Sequence, residues 1–339
     1  MSSIAIKHRA TFGKFSLDVD TQIPGKGITG IFGESGSGKT SLLRCIAGLE
    51  RTEAVDSTPV HKRRIGYVFQ EPQLFAHRNV RQNIEYGMRR NSAGHTSLKE
   101  VVSMLELGDL LERSVSGLSG GEAQRVSIAR VLCQSPKLIL MDEPLSALDE
   151  RRRNDVLPYL DRLHAESAVP IIYVSHNIDE ICRLSDYLLL LDNGRLVAEG
   201  ELHQVLSRTD LPQLGGRNAG AIIEGQPVEY DREFNLTAFQ FSGGRLWVPG
   251  SFESSPLRLR VSASDVSLSR TRAESSTILN ILPCRIVAID AENSAADLIR
   301  LQLGGDCLVA RITRRSSRVL GLKTGDEVYA QIKSVTVRR

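Results

Sequence analysis

The sequence predicts an α/β fold built on a parallel sheet, followed by a small all-β domain. Three observations carry this. A Gly-rich stretch, Gly33-Glu34-Ser35-Gly36-Ser37-Gly38-Lys39-Thr40, lies between the apolar run 28–32 and a helical pattern of Leu42, Leu43, Ile46 and Leu49. Short apolar runs at 138–141 and 170–174 suit strands buried on both faces of a parallel sheet. Beyond residue 257, alternating stretches separated by Gly, Asp and Ser suit the short strands of a barrel or sandwich.

Bulk properties narrow the class. A chain of 339 residues suggests about two domains at ~150 residues each. With 41% hydrophobic and 24% charged residues, it has material for a core and is too apolar for general disorder. A net charge of +3 gives no basic field for nucleic acid. No run of about 18 apolar residues suggests a membrane-spanning helix. The charged first 20 residues do not resemble a secretory signal. Cys45, Cys133, Cys182, Cys284 and Cys307 form no C-x-x-C pair and read as reduced, packed thiols of a cytosolic protein.

Taken in order, residues 4–19 alternate enough for one or two strands leading to the Gly-rich stretch. Phe12 and Phe15 are candidates either for the core or for stacking on a base. Gly33–Thr40 fits G-x-x-x-x-G-K-[ST], whose glycines let backbone N–H groups turn inward onto phosphate oxygens at a helix N-terminus. In such a loop Lys39 reaches the β- and γ-phosphates and the Thr40 hydroxyl ligates Mg²⁺. Residues 51–62 are polar and irregular, and 65–69 read as a strand ending at Gln70. The stretch 80–111 is helix-rich. Ser119-Gly120-Gly121 opens a helix over 123–132, which is either a second anion site or a turn with a helix cap.

The run 138–141 ends in Asp142-Glu143, at the strand end where α/β sheets hold ligands. Asp142 suits Mg²⁺ coordination, and Glu143 suits the base that polarises an attacking water. After the loop 146–149 comes a helix with Val156, Leu157, Leu160 and Leu163, then a buried strand ending at Ser175, with His176 at its C-terminal end. Residues 187–191 form a further strand, turned by Asp192-Asn193-Gly194. From 206 to 250 glycines loosen the pattern, which reads as the way out of the first domain.

Gly33–Thr40, Gln70, 118–122, Asp142-Glu143, 146–149 and His176 stand in the order of the Walker A, Q-loop, signature, Walker B, D-loop and H-loop motifs of ATP-binding-cassette (ABC) ATPases. The resemblance spans about residues 4–205 and depends on every motif agreeing in order and spacing. Residues 67–70, 80–83, 263–268 and 329–335 further resemble the ATPase subunit of molybdate importers. The fold implied is a P-loop NTPase with a helical subdomain at about 71–117, followed by a small OB-like barrel of the oxyanion-binding type. The implied domains are 1–230, a connection at 231–274, and the barrel at 275–339.

The resemblance implies ATP and Mg²⁺ as cofactors. Gly33, Glu34, Ser35, Gly36, Ser37, Gly38, Lys39 and Thr40 would bind nucleotide. Ser119, Gly120 and Gly121 would complete the site of a partner subunit in a head-to-tail homodimer. Thr40, Gln70 and Asp142 would hold the metal, and Glu143, His176 and Gln70 would act in hydrolysis. The implied function is energising molybdate import from the cytoplasmic face of the inner membrane. Its implied partners are two permease subunits and an external oxyanion-binding protein, with no nucleic acid. Tungstate and sulfate are rival cargoes. A soluble ABC ATPase and an oxyanion-sensing module are readings of another class.

The chain departs from the family pattern in two places. The segment 51–64 is shorter than usual, which suggests a trimmed surface hairpin. Leu279 stands where oxyanion-binding barrels commonly carry Arg, which leaves Thr277, Lys333 and Ser334 as candidate anion contacts without that cation.

Overall fold

The structure is a computed structural model. It describes residues 3–50, 52, 58–88, 97–252 and 257–338. Residues 51 and 53–57 of the segment expected to carry a trimmed hairpin lie outside the described residues. The chain divides into two compact units, Met1–Gly200 and Glu201–Arg339.

The first unit contains β1 (Ser3–Phe12), β2 (Phe15–Pro24), β3 (Ile28–Phe32), α1 (Lys39–Ala47), β4 (Ile65–Val68), α2 (Val80–Met88), α3 (Leu98–Met104), α4 (Gly120–Leu132), β5 (Leu138–Asp142), α5 (Glu150–Glu166), β6 (Ile171–Val174), α6 (Ile178–Leu184), β7 (Tyr187–Asp192) and β8 (Arg195–Glu201). They form one sheet in the order β1-β2-β8-β7-β3-β6-β5-β4. β3 lies parallel to both β6 and β7, and β5 lies parallel to both β4 and β6. All residues of β3, β5 and β6 are buried, which explains their unbroken apolar runs. Leu42 and Leu43 of α1 pack into one face with Ile31, Leu140, Ile172, Val174 and Leu189. Parallel pairing aligns the C-terminal ends of β3, β6, β5 and β4, so the loops that follow these strands emerge at one edge.

Between Gln70 and α4 the described residues include the helices α2 and α3. Gly87 lets α2 approach α4, because a Cβ there would meet the Arg130 carbonyl oxygen at 2.3 Å. Asn83 is fully buried and organises the turn before α2. Its Oδ1 accepts from Phe75 N at 2.8 Å, and its Nδ2 faces the carbonyls of Phe75, Arg78 and Asn79 at 3.2, 3.3 and 3.0 Å. Asn83→Ala strips buried backbone groups of these partners and is expected to destabilise the first unit by about 2–4 kcal/mol. Urea unfolding of the variant measures this, and a change below about 0.5 kcal/mol would contradict it.

The second unit contains α7 (Leu202–Leu206), β9 (Gly220–Asp231), β10 (Leu236–Phe241), β11 (Gly244–Pro249), β12 (Leu257–Ser262), β13 (Val266–Ser269), β14 (Asn280–Ala291), β15 (Ala296–Leu303), β16 (Asp306–Thr313), α8 (Arg314–Val319), β17 (Glu327–Ile332) and β18 (Thr336–Arg338). Two five-stranded sheets, β11-β10-β9-β12-β18 and β13-β17-β14-β15-β16, share one core. Phe239, Leu246, Leu259 and Val261 from the first sheet meet Ile299, Leu301, Leu308 and Ala330 from the second. This differs from the expected division. β9 to β12 stand where the sequence suggested the end of the first domain and a connection at 231–274. The glycines that suggested a loose linker belong to turns and close approaches. A Cβ at Gly243 would meet that of Leu303 at 2.6 Å, and Gly244 opens β11 with φ at +134°.

Candidate functional site

The loop after β3 is shaped by its glycines. Gly36 and Gly38 have φ of +83° and +100°, a region that side chains beyond Gly rarely adopt. A Cβ on Gly33 would meet the Leu191 carbonyl oxygen at 2.2 Å, and one on Gly38 would meet the Phe15 ring at 2.6 Å. The loop is braced from outside by the Asp192–Gly194 turn, where Gly194 N donates to the Ser37 carbonyl at 2.9 Å. Phe12 and Phe15 stack on each other at 6.5 Å and pack partly buried against the core.

This cradle fits a phosphate group. No side chain caps the start of α1. The Ser37 hydroxyl is buried and has no hydrogen-bond partner. Lys39, 5% exposed, curls back so that Nζ donates to the carbonyls of Gly33 and Glu34 at 2.8 Å each. Burial pushes its ammonium below the usual lysine range, while the carboxylates of Glu143 and Asp142 oppose that shift. An uncapped helix start, an unpartnered hydroxyl and a buried cation together suit a polyanion.

Asp142 ends β5 and is 7% exposed. One carboxylate oxygen accepts from the Thr40 hydroxyl at 2.9 Å and the other from the Tyr67 hydroxyl at 2.8 Å. Thr40 and Asp142 thus form a pair of oxygen donors beside the phosphate loop, a set suited to a hard divalent cation. In the sequence Tyr67 reads only as an aromatic residue of a strand. Burial, reinforced by the Asp142 carboxylate, pushes its phenol far above the usual range, so it remains a hydrogen-bond donor to Asp142.

Glu143 follows with φ at +45°, unusual for a residue with a side chain and more so before Pro144. The conformation is held from both sides. Glu143 N donates to the Val174 carbonyl at 3.1 Å, and the Ser146 amide and hydroxyl donate to the Glu143 carbonyl at 3.1 and 2.9 Å. The turn aims the side chain at His176, whose Nδ1 lies 2.9 Å from Oε2. The two side chains are 20% and 52% exposed, so the contact sets geometry more than stability.

The strand order brings Gly33–Thr40, Asp142, Glu143 and His176 to neighbouring strand ends, with exposed Gln70 following β4 on the outer side. Gln124 of α4 reaches the Phe69 carbonyl next to Gln70 at 3.4 Å. Ser119–Gly121 stands at the start of α4, where a Cβ on Gly120 would meet the Leu148 side chain at 3.0 Å. A Cβ on Gly121 would meet Val156 at 3.3 Å. There Ser119 and Glu122 cap each other: Ser119 N donates to Glu122 at 2.7 Å, and Glu122 N donates to the Ser119 hydroxyl at 3.3 Å. The Ser119 amide holds the Glu122 carboxyl below its usual range.

In the second unit, Thr277, Lys333 and Ser334 are exposed, and so is Leu279, at 59%. The pairing of Asn280 with Ile332 brings the residues before the one and after the other to one end of the β14–β17 pair. The Ser334 hydroxyl is committed to the Asp265 carboxylate at 2.5 Å, and Lys333 N donates to the Asp265 carbonyl at 2.8 Å. A carboxylate at this place and an alkyl chain at 279 give poor surroundings for an anion.

Residues 17–146 match the ABC transporter family and 276–338 match the TOBE domain. The chain is 47% identical over 98% of its length to molybdenum import ATP-binding protein ModC 1 of Azotobacter vinelandii, covering 98% of that protein. It is 45% identical to the ModC proteins of Aromatoleum aromaticum and Methylococcus capsulatus, over 98% and 99% of this chain and 94% and 99% of theirs. Among solved structures, a dimeric bacterial ABC transporter cassette superposes with a TM-score of 0.51 at 26% identity, covering 59% of this chain and 99% of that one. Part of an ABC transporter complex from Clostridium perfringens shares the fold at a TM-score of 0.53 and 23% identity, covering 61% and 92%.

Proposed function

The chain belongs to the family of ABC-transporter ATP-binding proteins that includes the molybdenum import ATPases, and from that premise we propose that it hydrolyses ATP to drive molybdate import. The observation that carries the hydrolytic reading is the convergence of Lys39, Thr40, Asp142, Glu143 and His176 at adjacent strand ends.

Backbone N–H groups of 33–40 and the Lys39 ammonium bind and neutralise the phosphate chain. For this, Lys39 must leave the carbonyls of Gly33 and Glu34, which hold it within reach of the loop. Thr40 and Asp142 would hold Mg²⁺, with Gln70 reaching it from the edge. Bound there, the metal would neutralise phosphate charge and orient the terminal phosphates. Glu143 accepts a hydrogen bond from the attacking water and polarises it. His176 holds Glu143 in line and contacts the γ-phosphate. Tyr67 keeps Asp142 oriented toward Thr40.

Ser119, Gly120 and Gly121 begin α4, an element that carries none of these residues, and this supports a shared site. In a head-to-tail homodimer each copy would present this helix start to the other's γ-phosphate, so that bound ATP closes the dimer and hydrolysis releases it. No described helix is long and apolar enough to cross a membrane. Transport therefore calls on permease subunits, docked on the helical segment after Gln70 at the cytoplasmic face, and on an external binding protein. The commitment of Ser334 to Asp265, together with Leu279, favours a structural role for the second unit over oxyanion sensing. Steady-state ATPase measurement on the purified chain tests the central step. Magnesium-dependent phosphate release is expected, and release no faster than that of a Lys39→Ala control would overturn it.

A further inference from the structure

The first unit buries a carboxylate that the chemistry above does not use. Glu180, on α6, is 4% exposed. Its Oε2 accepts from the Tyr173 hydroxyl and from the Ser175 hydroxyl, both at 2.8 Å. Its Oε1 faces Arg153 Nε at 3.3 Å. A buried charge costs several kcal/mol unless partners offset it, so this arrangement is specific. Tyr173 is fully buried, and desolvation and the Glu180 carboxylate hold its phenol protonated, a permanent donor.

One of these contacts bears on His176. Ser175 precedes it and donates to Glu180, and the same hydroxyl accepts from Asn177 N at 3.0 Å. The peptide carrying His176 is therefore tied on both sides to the Ser175 hydroxyl, and through it to the Glu180 carboxylate. Arg153, in the first turn of α5, leads to another segment. Its Nη2 donates to the Leu148 carbonyl at 3.4 Å, within the loop 146–149. That loop also supplies Ser146, which holds the Glu143 carbonyl. Arg153 Nε is buried without a hydrogen bond, so its attraction to Glu180 rests on charge at 3.3 Å and changes with small movements of the loop.

We propose that Glu180 and Arg153 are positioning residues that couple the loop 146–149 to His176, so that this loop sets both Glu143 and His176 in the attack geometry. The inference rests on the hydrolytic reading of the site. Neither residue touches the reacting atoms. Glu180 acts through Ser175, and Arg153 acts through Leu148 and Glu180.

Glu180→Gln, Arg153→Met, Arg153→Lys and the Glu180→Gln/Arg153→Met double variant test it, each assayed for ATP turnover, ATP affinity and urea unfolding. Misplacement of a catalytic group by a fraction of an ångström lowers rate more than binding. Glu180→Gln and Arg153→Met are therefore each expected to lower kcat by about ten- to a hundredfold, with ATP Kd unchanged within about twofold. The double variant is expected to be no slower than the slower single one, because both break one coupling. Arg153→Lys, which keeps the charge, is expected to recover part of the loss. A folded Glu180→Gln with turnover within about twofold of the parent would overturn the proposal. So would losses that multiply in the double variant, or a Kd that weakens in step with kcat. Should Glu180→Gln not fold, Arg153→Met carries the same criteria, its side chain being only partly buried at 26% exposure. Glu143→Gln run in parallel separates the two readings: if it also turns over normally, the hydrolytic assignment fails rather than the coupling.

Discussion

Replacing Glu143 by Gln is expected to leave ATP bound and turnover nearly abolished. The substitution preserves size and one carbonyl oxygen, so the contact with His176 Nδ1 at 2.9 Å survives in form. The charge with which the side chain is proposed to polarise water is lost. Positioned general bases contribute about 10²–10⁴-fold, and a loss of that order in kcat is expected here. The backbone supports so large an effect. A residue held at φ +45° ahead of a proline carries strain of about 1–3 kcal/mol, which persists because Val174 and Ser146 lock the turn. That turn aims Glu143 at His176, and a looser one would serve packing equally well. Phosphate release under saturating ATP, measured beside nucleotide binding, checks this. Turnover within about threefold of the parent would remove Glu143 from the role of base.

Lys39→Ala is expected to fail at the earlier step. Lys39 is 5% exposed and makes two 2.8 Å hydrogen bonds to the loop it must serve. Removal deletes the cation proposed to meet the phosphates and leaves the Gly33 and Glu34 carbonyls without their donor. Hydrogen bonds to charged groups are worth about 1.5–3 kcal/mol, so ATP affinity is expected to fall about 10- to 150-fold. Titration calorimetry of the purified variant with ATP measures it. Unchanged affinity would mean that the phosphate chain does not lie along 33–40. The two variants therefore divide the site: one loses binding, the other loses chemistry.

The parts of the site legible in the sequence are those whose chemistry is local. Gly33–Thr40 needs its glycines and its Lys-Thr pair within eight consecutive positions, and Asp142-Glu143 follows directly on an apolar run. What stayed hidden depends on tertiary partners far along the chain. Tyr67 looks like any strand aromatic until Asp142, 75 residues later, accepts its hydroxyl. Gly194 reads as a turn glycine, and only the fold shows that its amide braces Ser37. Glu180 and Arg153 carry no motif at all. The strands of the second unit between 206 and 250 are hard to read for a related reason. Turn glycines and polar strand residues weaken the alternation there, although Phe239 and Leu246 lie at the centre of a shared core. The run of parallel strands was the easiest to read, because burial on both faces leaves wholly apolar segments.

Transport itself is tested by uptake into vesicles that hold the chain together with the permease subunits and external binding protein proposed as its partners. ATP enclosed on the side of the nucleotide-binding chain should drive labelled molybdate inward, ahead of competing tungstate and sulfate. The same vesicles carrying Glu143→Gln should accumulate none. Uptake that proceeds without ATP or is undiminished by Glu143→Gln, or sulfate taken up in preference to molybdate, would contradict assignment of this chain as the ATPase of molybdate import.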